Sequence, residues 1–121
     1  MTEAKPFTDE ILLQFLCDGS LKVPTLDNPE IILNQGKEIT CCKHSGRDYS
    51  RYSFRIRRKG FKRRRVCRNK LVWMAGAKKV LPEGFEIHHV DEDPTNDCWS
   101  NLVAVFAFDH SKFHINEEPP F

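Results

Sequence analysis

Two short stretches decide how this chain is read: Phe85-Glu86-Ile87-His88-His89 and Asn101-Leu102-Val103-Ala104-Val105-Phe106. Each has the length and apolar content of a short strand. Between them runs Val-Asp-Glu-Asp-Pro-Thr-Asn-Asp-Cys-Trp-Ser, residues 90–100, dense in turn formers and poor as either helix or strand. After the second strand, Asp109 to about Ile115 suits a short helix, limited downstream by Pro119-Pro120. The expected order is therefore strand, loop, strand, helix.

Four of the five histidines fall in this region: His88, His89, His110 and His114. His110 and His114 are four apart, which on a helix stacks both imidazoles on one face, a suitable pair of metal ligands. His88 and His89 are neighbours on a strand, so they point to opposite sides. One can ligate an ion while the other faces a substrate with a free ring nitrogen. Imidazole, with an unperturbed pKa of about 6.5, suits a general base at neutral pH. A divalent ion would stabilise charge developing on an oxyanion. His44 stands apart beside Cys41-Cys42 and is read as structural or solvated.

Working upstream, Tyr52, Phe54 and Ile56 alternate with Ser53, Arg55 and Arg57. Arg58-Lys59-Gly60 offers a turn, and Phe61 to Cys67 returns as a second, arginine-rich strand, giving a hairpin with one basic face. Residues 51–70 hold eleven of the 19 basic residues and no carboxylate. The rest of the chain carries eight bases against 17 acids, so the formal net charge of +2 hides a division. From Leu81 onward there are nine carboxylates and one cation, Lys112. A basic block followed by an acidic, histidine-bearing one points to a polyanion partner plus a cation site. Asn69–Gly76 carries Leu71, Val72, Trp73 and Met74 and suits a short buried helix. Trp73 and Trp99 are read as core residues.

At the N-terminus, Thr8 is placed to cap a helix over Asp9–Asp18, with Phe7 and Leu12 spaced as a hydrophobic staple and Gly19 as a stop. Residues 20–48, with Pro24, Pro29, Gly36 and Gly46, are expected to be irregular with one or two short strands. The five cysteines form no CxxC pair, which argues against a disulfide framework or a four-cysteine zinc site. No apolar run approaches the roughly 20 residues of a membrane span, and the first residues lack the pattern of a secretory signal. An intracellular, cytoplasmic protein without membrane association is expected.

Taken together, His88-His89-Val90-Asp91, Asn96-Asp97, Asn101-Leu102 and His110-x-x-x-His114 resemble the HNH endonuclease motif. The lead-in Leu71-Val72-Trp73-Met74-Ala75 and Leu81-Pro82-Glu83-Gly84-Phe85 is similar to that of phage and intron-associated members. The resemblance covers about residues 50–114. It implies an α+β fold with a ββα-metal core at 85–115, here preceded by the basic hairpin 50–68 and the short N-terminal helix. The division would be 1–48, helix and arm, and 49–121, nuclease domain. It implies DNA as substrate, His89 as general base, and Asn101 as the residue bracing the loop. His88 and His110, with His114 as an additional ligand, would hold one divalent ion, zinc, magnesium or manganese. Phosphate contacts are expected from Arg55, Arg57, Arg58, Lys62, Arg63, Arg64, Arg65 and Arg68.

The sequence departs from the family pattern at three places. Phe106-Ala107-Phe108 stands where a capping Ser or Thr is common, Asn69 where many members carry His, and Glu92 where Gly often sits. Two other readings stay open: a DNA-binding module with a structural zinc in an inactive ββα unit, and a non-nuclease partner protein. A homodimer is compatible with all of them.

Overall fold

The computed structural model describes residues 3–45 and 50–106. The helix expected at the N-terminus forms as α1 (Asp9–Asp18). The Ile11 amide donates to Thr8 Oγ1, and Gly19 ends the helix at φ 85°. That left-handed conformation is open to glycine at little cost. Phe7 and Leu12 are both buried, as the staple spacing requires.

Residues 20–45 depart from expectation. They hold four strands: β1 (Leu21–Lys22), β2 (Ile31–Asn34), β3 (Lys37–Thr40) and β4 (Cys42–Ser45). β1, β2 and β3 form one antiparallel sheet in that order. Gly36, read as a sign of irregularity, belongs to a two-residue turn. Gln35 (φ 53°) and Gly36 (φ 82°) both take positive φ between the paired residues Asn34 and Lys37. Such turns match the twist of the strands they join. Pro24 and Pro29 fall in the connection from β1 to β2, where they interrupt no ladder.

The basic hairpin is present as β5 (Ser50–Ile56) and β6 (Arg64–Cys67), with β4 paired to the other side of β5. Its second strand is shorter than expected. Phe61 bridges Lys5 instead, through Lys5 N–H to the Gly60 carbonyl and Lys62 N–H to the Lys5 carbonyl, both 2.8 Å. Phe54, Ile56 and Val66 point into the core, while Arg55, Arg57, Arg63 and Arg65 are exposed. This is the inward and outward alternation that a pleated strand imposes.

Helix α2 (Arg68–Ala77) follows β6 directly. Leu71, Val72, Trp73 and Met74 are buried in succession, so it is covered on most sides, as its apolar run indicates. β7 (Phe85–His89) and β8 (Leu102–Phe106) then pair antiparallel, with His89 opposite Leu102 and His88 opposite Val103. A single 3₁₀ turn at Trp99–Asn101 leads into β8. β7 has the boundaries read from the sequence, and β8 begins one residue later because Asn101 belongs to the turn. The protein is thus α+β, with small antiparallel sheets around two helices among the described residues. One buried cluster joins Phe7, Leu12, Leu21 and Ile32 to Phe54, Leu71, Met74 and Leu102, so the N-terminal segment shares its core with the hairpin and α2. Among the described residues no helix is long and apolar enough to cross a membrane. The helix expected at 108–115 lies outside the described residues.

Candidate active site and arginine face

The loop between β7 and β8 closes on itself through short polar side chains. Asn101 sits at its far end and reaches back across it. Its Nδ2 donates to Asp91 Oδ1 and to the Asn96 carbonyl, both at 2.9 Å. Its Oδ1 accepts from the Asp91 amide at 3.1 Å. Asp91 in turn accepts from Asn96 Nδ2 at 2.7 Å and from the Asp93 amide at 2.9 Å. Asp93 accepts from both the amide and the hydroxyl of Thr95. Side chains that bond their own backbone two residues on form this kind of turn. The hydrogen bonds from Asn96, the Asp93 amide and Asn101 hold the Asp91 carboxyl down at about 2. Asn101 therefore braces the loop from Asp91 to Asn96, which starts two residues after His89.

His89 lies at the end of β7 with its side chain turned toward α2. Its Nε2 is 2.6 Å from Asp97 Oδ1. The other oxygen of Asp97 accepts from Arg68 Nε at 2.8 Å. Asp97 and Arg68 are both buried, each 3% exposed. Arg68 also donates through Nη2 to the Thr95 carbonyl at 2.8 Å. Its Nη1 approaches Glu30 Oε1 and Cys41 Sγ, and its guanidinium lies 4.0 Å from the centre of the Tyr52 ring. Burial alone would push Arg68 down, but the hydrogen bond and charge of Asp97, with Cys41 and Glu30, hold it above the usual arginine value. Burial is also the main influence on Cys41, whose thiol it pushes up.

His88 faces the opposite side of the β7–β8 pair, beside Val103, and is half-buried. His110 and His114 lie outside the described residues. Among the described residues, no group of three or more His, Cys, Asp or Glu is close enough together to hold a metal ion.

The expected phosphate-binding arginines divide into two sets. Arg55 and Arg65 are directly opposite in the β5–β6 register. With Arg57, Arg63, Arg64 and Ile56 they line an open groove of about 300 Å³. Lys62 is exposed nearby in the connection between the two strands. Three of these arginines have partners within the chain. Arg58 is 9% exposed, donates to Asn34 Oδ1 and to the carbonyl and hydroxyl of Ser20, and stacks on Phe15. Arg68 is committed to Asp97. Arg64 ties the hairpin to α1 through the Phe7 carbonyl and Asp9, although its stem still lines the groove. Arg58 and Arg68 are thus both buried and paired inside the chain.

Asp97 enters the sequence reading only within the Asn96-Asp97 piece of the motif, with no role of its own. A faint signal existed in Arg68. A cation in the first turn of a helix opposes the helix dipole, and such a placement is usually compensated by a specific partner. Comparison with protein-family models, with curated proteins and with solved structures finds no match for this chain.

Proposed function

We propose that this chain is a metal-dependent HNH-type endonuclease that hydrolyses DNA phosphodiester bonds, with His89 as general base. The observation that carries the reading is the β7–loop–β8 unit. It ends one strand on a paired histidine and closes the loop with an asparagine that grips it at three points. In this reading His89 removes the proton from the attacking water. Asn101 keeps the loop, and with it the end of β7, in one conformation. The exposed arginines at 55, 57, 63 and 65, with Lys62, hold the DNA backbone, since the loop is itself acidic.

His88, with His110 and His114, would be the ligands of the divalent ion. An all-imidazole donor set fits zinc or another borderline transition ion, while the reaction class also runs with magnesium or manganese. When bound, the ion would supply stabilisation of the charge on the phosphate and leaving oxygens.

One observation favours the second reading, a DNA-binding module that does not cut: the His89 side chain is only 12% exposed. Plasmid nicking separates the two. Supercoiled DNA is incubated with the chain after chelation and then with Mg²⁺, Mn²⁺ or Zn²⁺ restored in turn. Conversion to open circles with at least one ion, and none after chelation, is the expected result. Tight, salt-sensitive binding with no nicking under any ion would leave the binding module as the better account.

A further inference from the structure

We propose that Asp97 is a positioning residue for His89 and that Arg68 locks it in place. The line Arg68–Asp97–His89 then fixes the imidazole with its proton on Nε2 and leaves Nδ1 as the atom that meets the water. The purpose of the line rests on the nuclease reading; its geometry does not.

Both oxygens of Asp97 are used. Oδ1 faces His89 Nε2 at 2.6 Å and Oδ2 takes the Arg68 Nε–H at 2.8 Å. A carboxylate so placed can only accept, so the ring nitrogen beside it must be the one that donates. The partner of the carboxylate is equally constrained. Arg68 is held by the Thr95 carbonyl on one edge, by Glu30 and Cys41 on another, and by the face of Tyr52. Its place is unfavourable on local grounds, since it is buried and opens a helix. Nothing in α2 itself calls for a guanidinium there, but a carboxylate aimed at a histidine does. An acceptor that fixes one imidazole nitrogen leaves the other in a defined direction, the arrangement used wherever a histidine must take a proton in one orientation. When Nδ1 takes the proton of the water, Asp97 faces the charge that appears on the ring.

The first measurement is a long-range ¹H–¹⁵N correlation at neutral pH on full-length protein labelled at histidine, with His89 identified by the loss of its signals in His89→Gln. The parent is expected to show His89 protonated on Nε2. Asp97→Asn, nearly the same size, is expected to lose that fixed tautomer. Its nicking rate should fall by roughly 10²- to 10⁴-fold with DNA affinity unchanged. Arg68→Lys keeps the charge without the fork and should fall between parent and Asp97→Asn. Circular dichroism checks folding. Should Asp97→Asn fail to fold, the tautomer of the parent and the Arg68→Lys rate decide. A parent His89 protonated on Nδ1 overturns the proposal. So does an Asp97→Asn protein that keeps the tautomer and nicks at the parental rate. If the parent fails to nick DNA with Mg²⁺, Mn²⁺ and Zn²⁺ alike, the nuclease reading fails, and the tautomer alone judges the line.

Discussion

At the scale of single residues, two positions show local rules meeting tertiary demands. Glu92 has φ 64°, a left-handed conformation that costs an L-residue roughly 1–2 kcal/mol. Its amide donates to the His89 carbonyl at 2.9 Å, so loop closure imposes the conformation. Glu92→Gly should therefore stabilise the protein by about 1 kcal/mol, net of the extra freedom glycine gains in the unfolded chain. Thermal melting should show a rise of a few degrees, and a fall would mean that the loop does not close this way. Gly76 decides the opposite case. Alanine in a helix interior is ordinarily worth about 1 kcal/mol over glycine. At Gly76, however, an added Cβ would sit 2.4 Å from the Trp99 ring. Overpacking should win, and Gly76→Ala should lose about 1–3 kcal/mol in denaturant titration. A gain would place Trp99 away from α2.

At the scale of elements, the loop from Val90 to Asn101 and the β5–β6 hairpin make separate predictions. Asp91 is held at about 2 in the folded loop by Asn96, the Asp93 amide and Asn101, against about 3.9 for a free aspartate. A depressed folded value stabilises the native state above the unfolded value, and that contribution is lost as pH falls toward the folded one. Stability should thus decline on acidification between about pH 4 and pH 2, and Asp91→Asn should flatten that part of the Tm–pH curve. On the hairpin, Arg55 and Arg65 face one another across the strands with like charge. Removing either should weaken duplex binding at every sequence and reduce the slope of log affinity against log salt by about one unit. Titration at several salt concentrations measures this; an unchanged slope would take the groove out of the DNA interface. The sequence made α1, β7 and β8 legible because their signals are local: a capping threonine, an apolar run, a cluster of turn formers. β1–β4 were not, because a two-residue turn at Gln35-Gly36 and a proline-bearing connection look like irregular chain. Asp97 and Arg68 were not either. They are 29 residues apart, and spacing alone does not tell which cation meets which anion.

At the scale of the molecule, one core carries both the arginine hairpin and the β7–β8 unit. α2 begins where β6 ends, so the arginine hairpin continues directly into the element that supplies Arg68 to Asp97. The β1–β3 sheet joins the same body through Ile32 in the core and Glu30 beside Arg68. The formal charge of +2 is unevenly divided: the hairpin carries most of the arginines, while the acidic loop is held by its own hydrogen bonds. The central claim is that His89 takes the proton from the attacking water. Single-turnover nicking of plasmid DNA by the parent and by His89→Ala, at saturating protein and with the ion that best supports the parent, tests it most directly. A general base contributes about 10²- to 10⁴-fold. The account predicts a loss of that size with DNA affinity retained; equal rates for the two proteins would contradict it.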